Sequence, residues 1–124
     1  MIAYYAAPGI SKIKMLPQIL NEELQYVEAE NIFNQVCKFH QVEPSVVLKR
    51  GRKRENVRVR QQAIYLIKYR VKGIIWNKIA EIFGDEINYD HSDCIHAYNV
   101  IKDQVNLQTE NPDKTDIQNL LLII

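Results

Sequence analysis

Apolar residues recur along this chain at helical spacing, and no segment shows the two-residue alternation between turns that marks a strand. The first residues are poorly patterned: Pro8-Gly9 breaks any helix, and Pro17 is placed to open a new one. Residues 18–39 follow, with Leu20, Leu24, Val27, Ile32, Val36 and Phe39 sharing an apolar side and a break expected near Glu30-Asn31. Glu43-Pro44-Ser45 stops this helix. A short one carrying Val46, Val47 and Leu48 comes next, then a basic loop over residues 49–54. The clearest helix is residues 58–72: Ala63, Ile64, Ile67 and Val71 turn inward, Gln61, Tyr65, Lys68 and Lys72 form a second stripe, and Gly73 is the C-cap. Because it is apolar on most sides, it is expected at the centre.

A helix-turn-helix pattern occupies the next stretch. Its first helix runs over residues 76–83, with Ile79, Ala80 and Phe83 facing the core, and Phe83-Gly84 closes it with a residue able to take positive φ. Asp90 then caps a second helix in which Cys94, Ala97, Tyr98, Ile101 and Val105 make one buried stripe. Ahead of that stripe stand Asp90, His91, Ser92 and Asp93. Polar, hydrogen-bonding residues in the first turn are what a recognition helix needs, because that turn meets base edges in the major groove. After a polar loop at residues 110–113, residues 116–124 end in LLLII, which is expected to pack on the N-terminal helix. A homodimer through the apolar C-terminus is the other way to cover it.

Length and charge narrow the picture. A chain of 124 residues with 47% hydrophobic content suits one compact all-α domain with a modest core. No apolar run reaches the ~18 to 20 residues that span a bilayer, and no basic leader precedes an apolar segment, so a cytoplasmic protein without membrane contact is expected. Cys37 and Cys94 each sit in an apolar helical pattern, as reduced core residues do. The net charge of +1 hides a segregation: residues 49–72 hold ten basic residues against Glu55, a segment at +9, while the other 100 positions hold six basic and fourteen acidic residues, a body at −8. A charge so divided points to a polyanion on one face.

Other chemistry is weaker. His91, Cys94 and His96 with Cys37 and His40 fit no standard zinc spacing, and no metal is expected. Asp90, His91, Asp93 and His96 radiate around one helix instead of converging, so no nuclease or other enzyme is expected. The sequence has no G-x-x-x-x-G-K-[ST] phosphate loop, which leaves no nucleotide and no cofactor to bind. Alternatives to duplex DNA are an RNA-binding protein, with the basic loop beside Tyr65, Tyr69 and Tyr89, or an interaction protein that modulates an initiator.

The segment KRGRKRENVRVRQQAIYLIKYRVKGIIWNKIAEIFGDEINYDHSDCIHAYNVIKD resembles the C-terminal, DNA-binding domain of the bacterial replication initiator DnaA, over about residues 32–105. The resemblance rests on the basic loop, Arg60-Gln61 before an apolar helix, Ile79-Ala80 through Phe83-Gly84, Asp90-His91-Ser92, and Ile95-His96-Ala97, in that order. It implies an all-helical, Trp-repressor-like helical bundle around the helix-turn-helix, and duplex DNA as partner. It also implies roles. Arg52 would enter the minor groove, Asp90, His91 and Ser92 would read bases, and Arg60, Gln61 and Lys68 would hold the phosphate backbone. Arg54 and Arg58 would add phosphate contacts, and Asp93, which replaces a base-touching threonine, could accept from cytosine N4.

Two further expectations follow from the resemblance. Residues 85–89, DEINY, replace two residues of the family, so the turn is three residues longer and would displace the recognition helix. The chain is expected to divide into an N-terminal tail and helix start (1–30), the DnaA-like binding domain (31–106), and a C-terminal loop and packing helix (107–124). It would then be a stand-alone binding domain without the ATPase module.

Overall fold

The computed structural model describes residues 16–51 and 53–124, with side chains from residue 21 onward except Asp85. Six α-helices and no strand occur among the described residues: α1 Leu16–Phe39, α2 Pro44–Val47, α3 Arg54–Arg70, α4 Trp76–Ile87, α5 His91–Asn106 and α6 Pro112–Ile123. The fold is all-α. None of these helices is long and apolar enough to cross a membrane.

Helix α3 lies at the centre, where it touches every other helix, and its apolar middle rather than its charged ends is what the others cover. Ala63, Ile64, Leu66 and Ile67 are fully buried in consecutive turns, and Val59 and Tyr65 nearly so. A helix buried all round contributes side chains to several packing faces at once, each large one stabilising by roughly 1.5–3 kcal/mol. The expected stripes of α4 and α5 are also present: Ile79, Phe83, Cys94, Ala97 and Ile101 are buried, and Phe33 of α1 meets Phe83 edge-on at 5.4 Å.

Helix α1 departs from expectation twice. It is continuous through Glu30 and Asn31, and its inward stripe is Ala29, Ile32, Phe33, Val36 and Cys37. With that stripe inward, the 100° turn per residue carries Leu24 and Val27 to the opposite side, and they are 61% and 54% exposed. Gln25 and Tyr26 take the inward places instead. Gln25 donates to the Lys72 carbonyl at 2.8 Å, beside Gly73 (φ +77°), and Tyr26 meets Glu81.

The ends of α3 and α6 also shift. Helix α3 begins at Arg54 instead of residue 58, and its C-cap is Val71, two residues before Gly73. Helix α6 begins at Pro112, four residues before expectation, because the Asn111 side chain accepts from the Lys114 amide at 2.9 Å with proline in the first helical place. Only part of the LLLII end is covered: Leu120 is buried, Leu122 is 84% exposed.

Both cysteines are free and buried. Burial pushes the Cys37 thiol up to about 12, helped by Glu43, and burial with Asp93 and Asp90 does the same for Cys94. Burial, then Tyr98 and Tyr69, raises Tyr65 in the same direction. An acid with a raised folded pKa keeps its contribution below the unfolded value and loses it as pH rises through the folded one. Stability is therefore expected to decline as pH climbs from about 9 toward about 12, seen as a falling urea midpoint. At pH 8 a thiol-disulfide exchange reagent should label neither cysteine until urea unfolds the chain.

Candidate nucleic-acid interface

The helix-turn-helix connection contains a further turn of helix. Gly84, at φ +76° and ψ 179°, ends α4 proper after Phe83, residues 85–87 make one more turn, and Asn88 closes it in the left-handed region, its amide donating to the Gly84 carbonyl at 3.3 Å. Glycine takes that φ without a Cβ clash, and asparagine is among the few other residues that tolerate the left-handed region. Ile87 is half-buried against the core, and Tyr89 lies 5.8 Å from the Phe83 ring.

From this platform α5 starts with a reciprocal cap. Asp90 accepts from the Asp93 amide and Asp93 accepts from the Asp90 amide, each at 3.0 Å. The hydrogen bond from the Asp93 amide holds the exposed Asp90 carboxyl below the usual aspartate range. His91 and Ser92 stand exposed between the two caps. Asp90 and Asp93 thus shape the turn, and His91 and Ser92 are its outward side chains.

The basic segment is divided in use. Arg54 is exposed at the start of α3, as are Lys49, Arg50 and Lys53 in the loop, whereas Arg52 lies outside the described residues. Arg60, expected on phosphate, is only 3% exposed. Its Nε donates to the Val47 carbonyl at 2.9 Å, and its Nη2 to those of Gly51 at 3.0 Å and Lys49 at 3.4 Å. Lys68 also turns to the protein, donating to the Ile74 carbonyl at 2.6 Å with its ammonium 4.6 Å from the Trp76 ring.

Arg58 is drawn to α6. Its Nε lies 2.9 Å from Asp113 and its Nη2 2.6 Å from Asp116. The fully buried Gln62 donates to the same two carboxylates at 2.8 and 3.1 Å and meets His40 Nε2 at 2.7 Å. A partly buried, two-pronged pair of this kind outlasts an exposed one, so a phosphate would have to compete for Arg58. Arg58, Arg60 and Lys68, all expected on phosphate, are thus each held by protein oxygens in this structure. The physical reason is common: each cation lies within reach of protein oxygens that need a donor.

Of the remaining candidates, Arg54, Gln61 and Asp93 line two adjoining clefts. One is lined by Arg50, Gly51, Val57, Arg60, Ile87, Tyr89 and Asp93, so it joins the basic loop to the first turn of α5. The other, sharing Val57, is lined by Arg54, Arg58, Gln61, Val100, Gln104, Pro112 and Asp113. Lys68 lies apart, at the corner between α3 and α4. Among the described residues no three His, Cys, Asp or Glu side chains come together as metal donors.

Sequence reasoning missed Glu86, Gln62, Asp113 and Asp116. Glu86 accepts from the Arg50 amide at 2.8 Å, a contact across 36 residues that no local pattern announces. The Asp113 and Asp116 pair had a signal, since acids three apart share a helix face.

Residues 29–101 match the family described as the bacterial dnaA protein helix-turn-helix. The chain is 30% identical over 107 residues to the chromosomal replication initiator protein DnaA of Bacteroides fragilis (strain YCH46), covering 86% of this chain and 21% of that protein. It is also 30% identical over 102 residues to the protein of the same name from Bacteroides thetaiotaomicron, covering 82% and 20%. The chain therefore spans about a fifth of the length of the curated relatives it matches. No solved structure matches it significantly.

The role of Arg60 can be measured without any ligand. Replacing it by methionine keeps much of the buried stem but leaves loop carbonyls without their donor, which is expected to cost roughly 1–3 kcal/mol in urea unfolding. Arg54→Met, at an exposed position, should stay within about 0.5 kcal/mol.

Proposed function

The chain belongs to the bacterial DnaA helix-turn-helix family, and from that premise we propose that it is a sequence-preferring duplex-DNA-binding protein of the cytoplasm. It acts by occupying or marking sites in the regulation of replication or transcription. The observation that carries this reading is the cleft that sets the first turn of α5, with His91 and Ser92 outward, beside a loop of exposed cations. A helix N-terminus of that kind reads base edges in the major groove, and an arginine in the neighbouring loop, Arg52, reaches the narrower minor groove. Arg54 and Gln61 hold phosphate, joined by Lys49, Arg50 and Lys53. Asp93 spends one carboxylate oxygen on the cap and offers the other to a cytosine amine.

Duplex is favoured over single-stranded RNA by where the aromatic rings are spent. Tyr65 is buried and stacked on Tyr69 and Tyr98, at 6.0 and 5.2 Å, and Tyr89 packs on Phe83. Tyr65 and Tyr89 so engaged stabilise the protein, and Tyr69, 58% exposed, is left as a single ring where a platform for successive bases needs several. A domain of this kind holds a site without nucleotide, so ATP should leave its affinity unchanged.

Selection from random duplexes tests the proposal. An enriched sequence is expected, with a slope of log affinity against log salt near roughly −4, from about four to five phosphate contacts. Arg54→Ala should make that slope shallower by about one and weaken all duplexes alike. His91→Ala should cost ~1 to 3 kcal/mol on the selected site and little on random DNA. Tighter binding to single-stranded RNA than to any selected duplex would overturn the reading.

A further inference from the structure

The basic loop crowds Lys49, Arg50, Lys53 and Arg54 into a few residues, and like charges so close push a chain apart. Such a loop needs to be held if it is to keep one shape, and two groups hold its backbone from opposite chemical sides. Arg60 donates to the carbonyls of Val47, Lys49 and Gly51, and Glu86 accepts from the amide of Arg50. Arg60 comes from α3, beneath the loop. Glu86 comes from the turn between Gly84 and Asn88, four residues before Asp90, the cap of α5.

We propose that Glu86 is a positioning residue that fixes the DNA-contacting loop relative to the first turn of α5, and so sets the spacing between the two contacts on the duplex. This rests on the duplex-binding reading above. The turn that carries Glu86 is itself anchored, by Gly84 and Asn88 in positive-φ conformations and by Ile87 packed against the core. Its carboxylate therefore ties the loop to a platform continuous with α5. A carboxylate in this place also has a cost, because it stands near the cations that attract phosphate and lowers their field. Grip and selectivity should accordingly move in opposite directions when Glu86 is removed, which a simple charge effect does not produce.

The experiment uses the full chain with Glu86→Ala and with Glu86→Gln, whose amide oxygen can still accept from the Arg50 amide. In the free proteins, hydrogen exchange at the Arg50 amide is read by NMR, with Ile64 and Leu66 amides as monitors of global stability. Wild type and Glu86→Gln should exchange slowly at Arg50, and Glu86→Ala faster, with the monitors unchanged. On duplexes, Glu86→Ala should lose roughly fivefold or more on the selected site while random duplex binds equally or more tightly, and Glu86→Gln should keep the preference. Unchanged Arg50 exchange in Glu86→Ala overturns the clamp, whatever DNA does. Both variants changing affinity by one common factor on every duplex reduces Glu86 to a charge and overturns the positioning role. A wild type that binds no duplex overturns the DNA reading and the loop's role with it, and is told apart because the exchange result needs no DNA.

Discussion

A guanidinium cannot be taken out of water without a full set of partners, and Arg60 is almost completely out of water. Its partners are backbone carbonyls at Val47, Lys49 and Gly51, so the chain after α2 has to fold back over α3 to supply them. That one requirement gives the basic loop its position. It also fixes where the cleft with α5 opens, since Arg60 and Gly51 line it together with Tyr89 and Asp93. Loop, cleft and the start of α3 are consequences of one satisfied charge.

The segregated charge of the sequence is thereby sorted into two populations. Arg58, Arg60 and Lys68 serve the protein: one draws α6 in, one shapes the loop, one closes the corner before α4. Apart from Lys72 just past the far end of α3, the cations of this segment left outward among the described residues belong to the loop and the first residue of α3, so the field a polyanion meets is more local than a count along residues 49–72 suggests. Arg70 continues the pattern, its Nη2 donating to the Leu121 carbonyl at 3.2 Å near the end of α6. The acidic remainder of the chain is used in part as the counterweight, through Asp113 and Asp116.

The helices, their order and the central place of α3 were legible because burial imposes a 3.6-residue period that survives without tertiary information. The cap at Asp90 and the positive φ at Gly84 were legible for a similar reason, being local backbone chemistry. Leu24 and Val27 misled because hydrophobicity alone does not set the register of a long helix; Ala29, Phe33 and Cys37 do, and they put those two residues outside. The polar run at Asn111-Pro112 reads as a loop by composition, yet a cap followed by proline opens a helix there. The partners of Arg58, Arg60 and Lys68 were hidden for a different reason. A cation in sequence carries no mark of whether its anion will be a phosphate, a carboxylate or a carbonyl brought by the fold.

The turn from Gly84 to Asn88 that leads into α5 has a geometric consequence of its own. Because the Asn88 amide returns to the Gly84 carbonyl, these residues form a closed ring of backbone whose two ends stay about one helical turn apart, about 6 Å for four residues. Residues added as an open strand would swing the following helix through whatever angle the strand happened to take. Added as a closed turn between two positive-φ joints, they shift it by a set distance, and the joints choose its direction. Length and direction are thus separate variables at this corner, and a chain built this way can change the first while leaving the second to two residues.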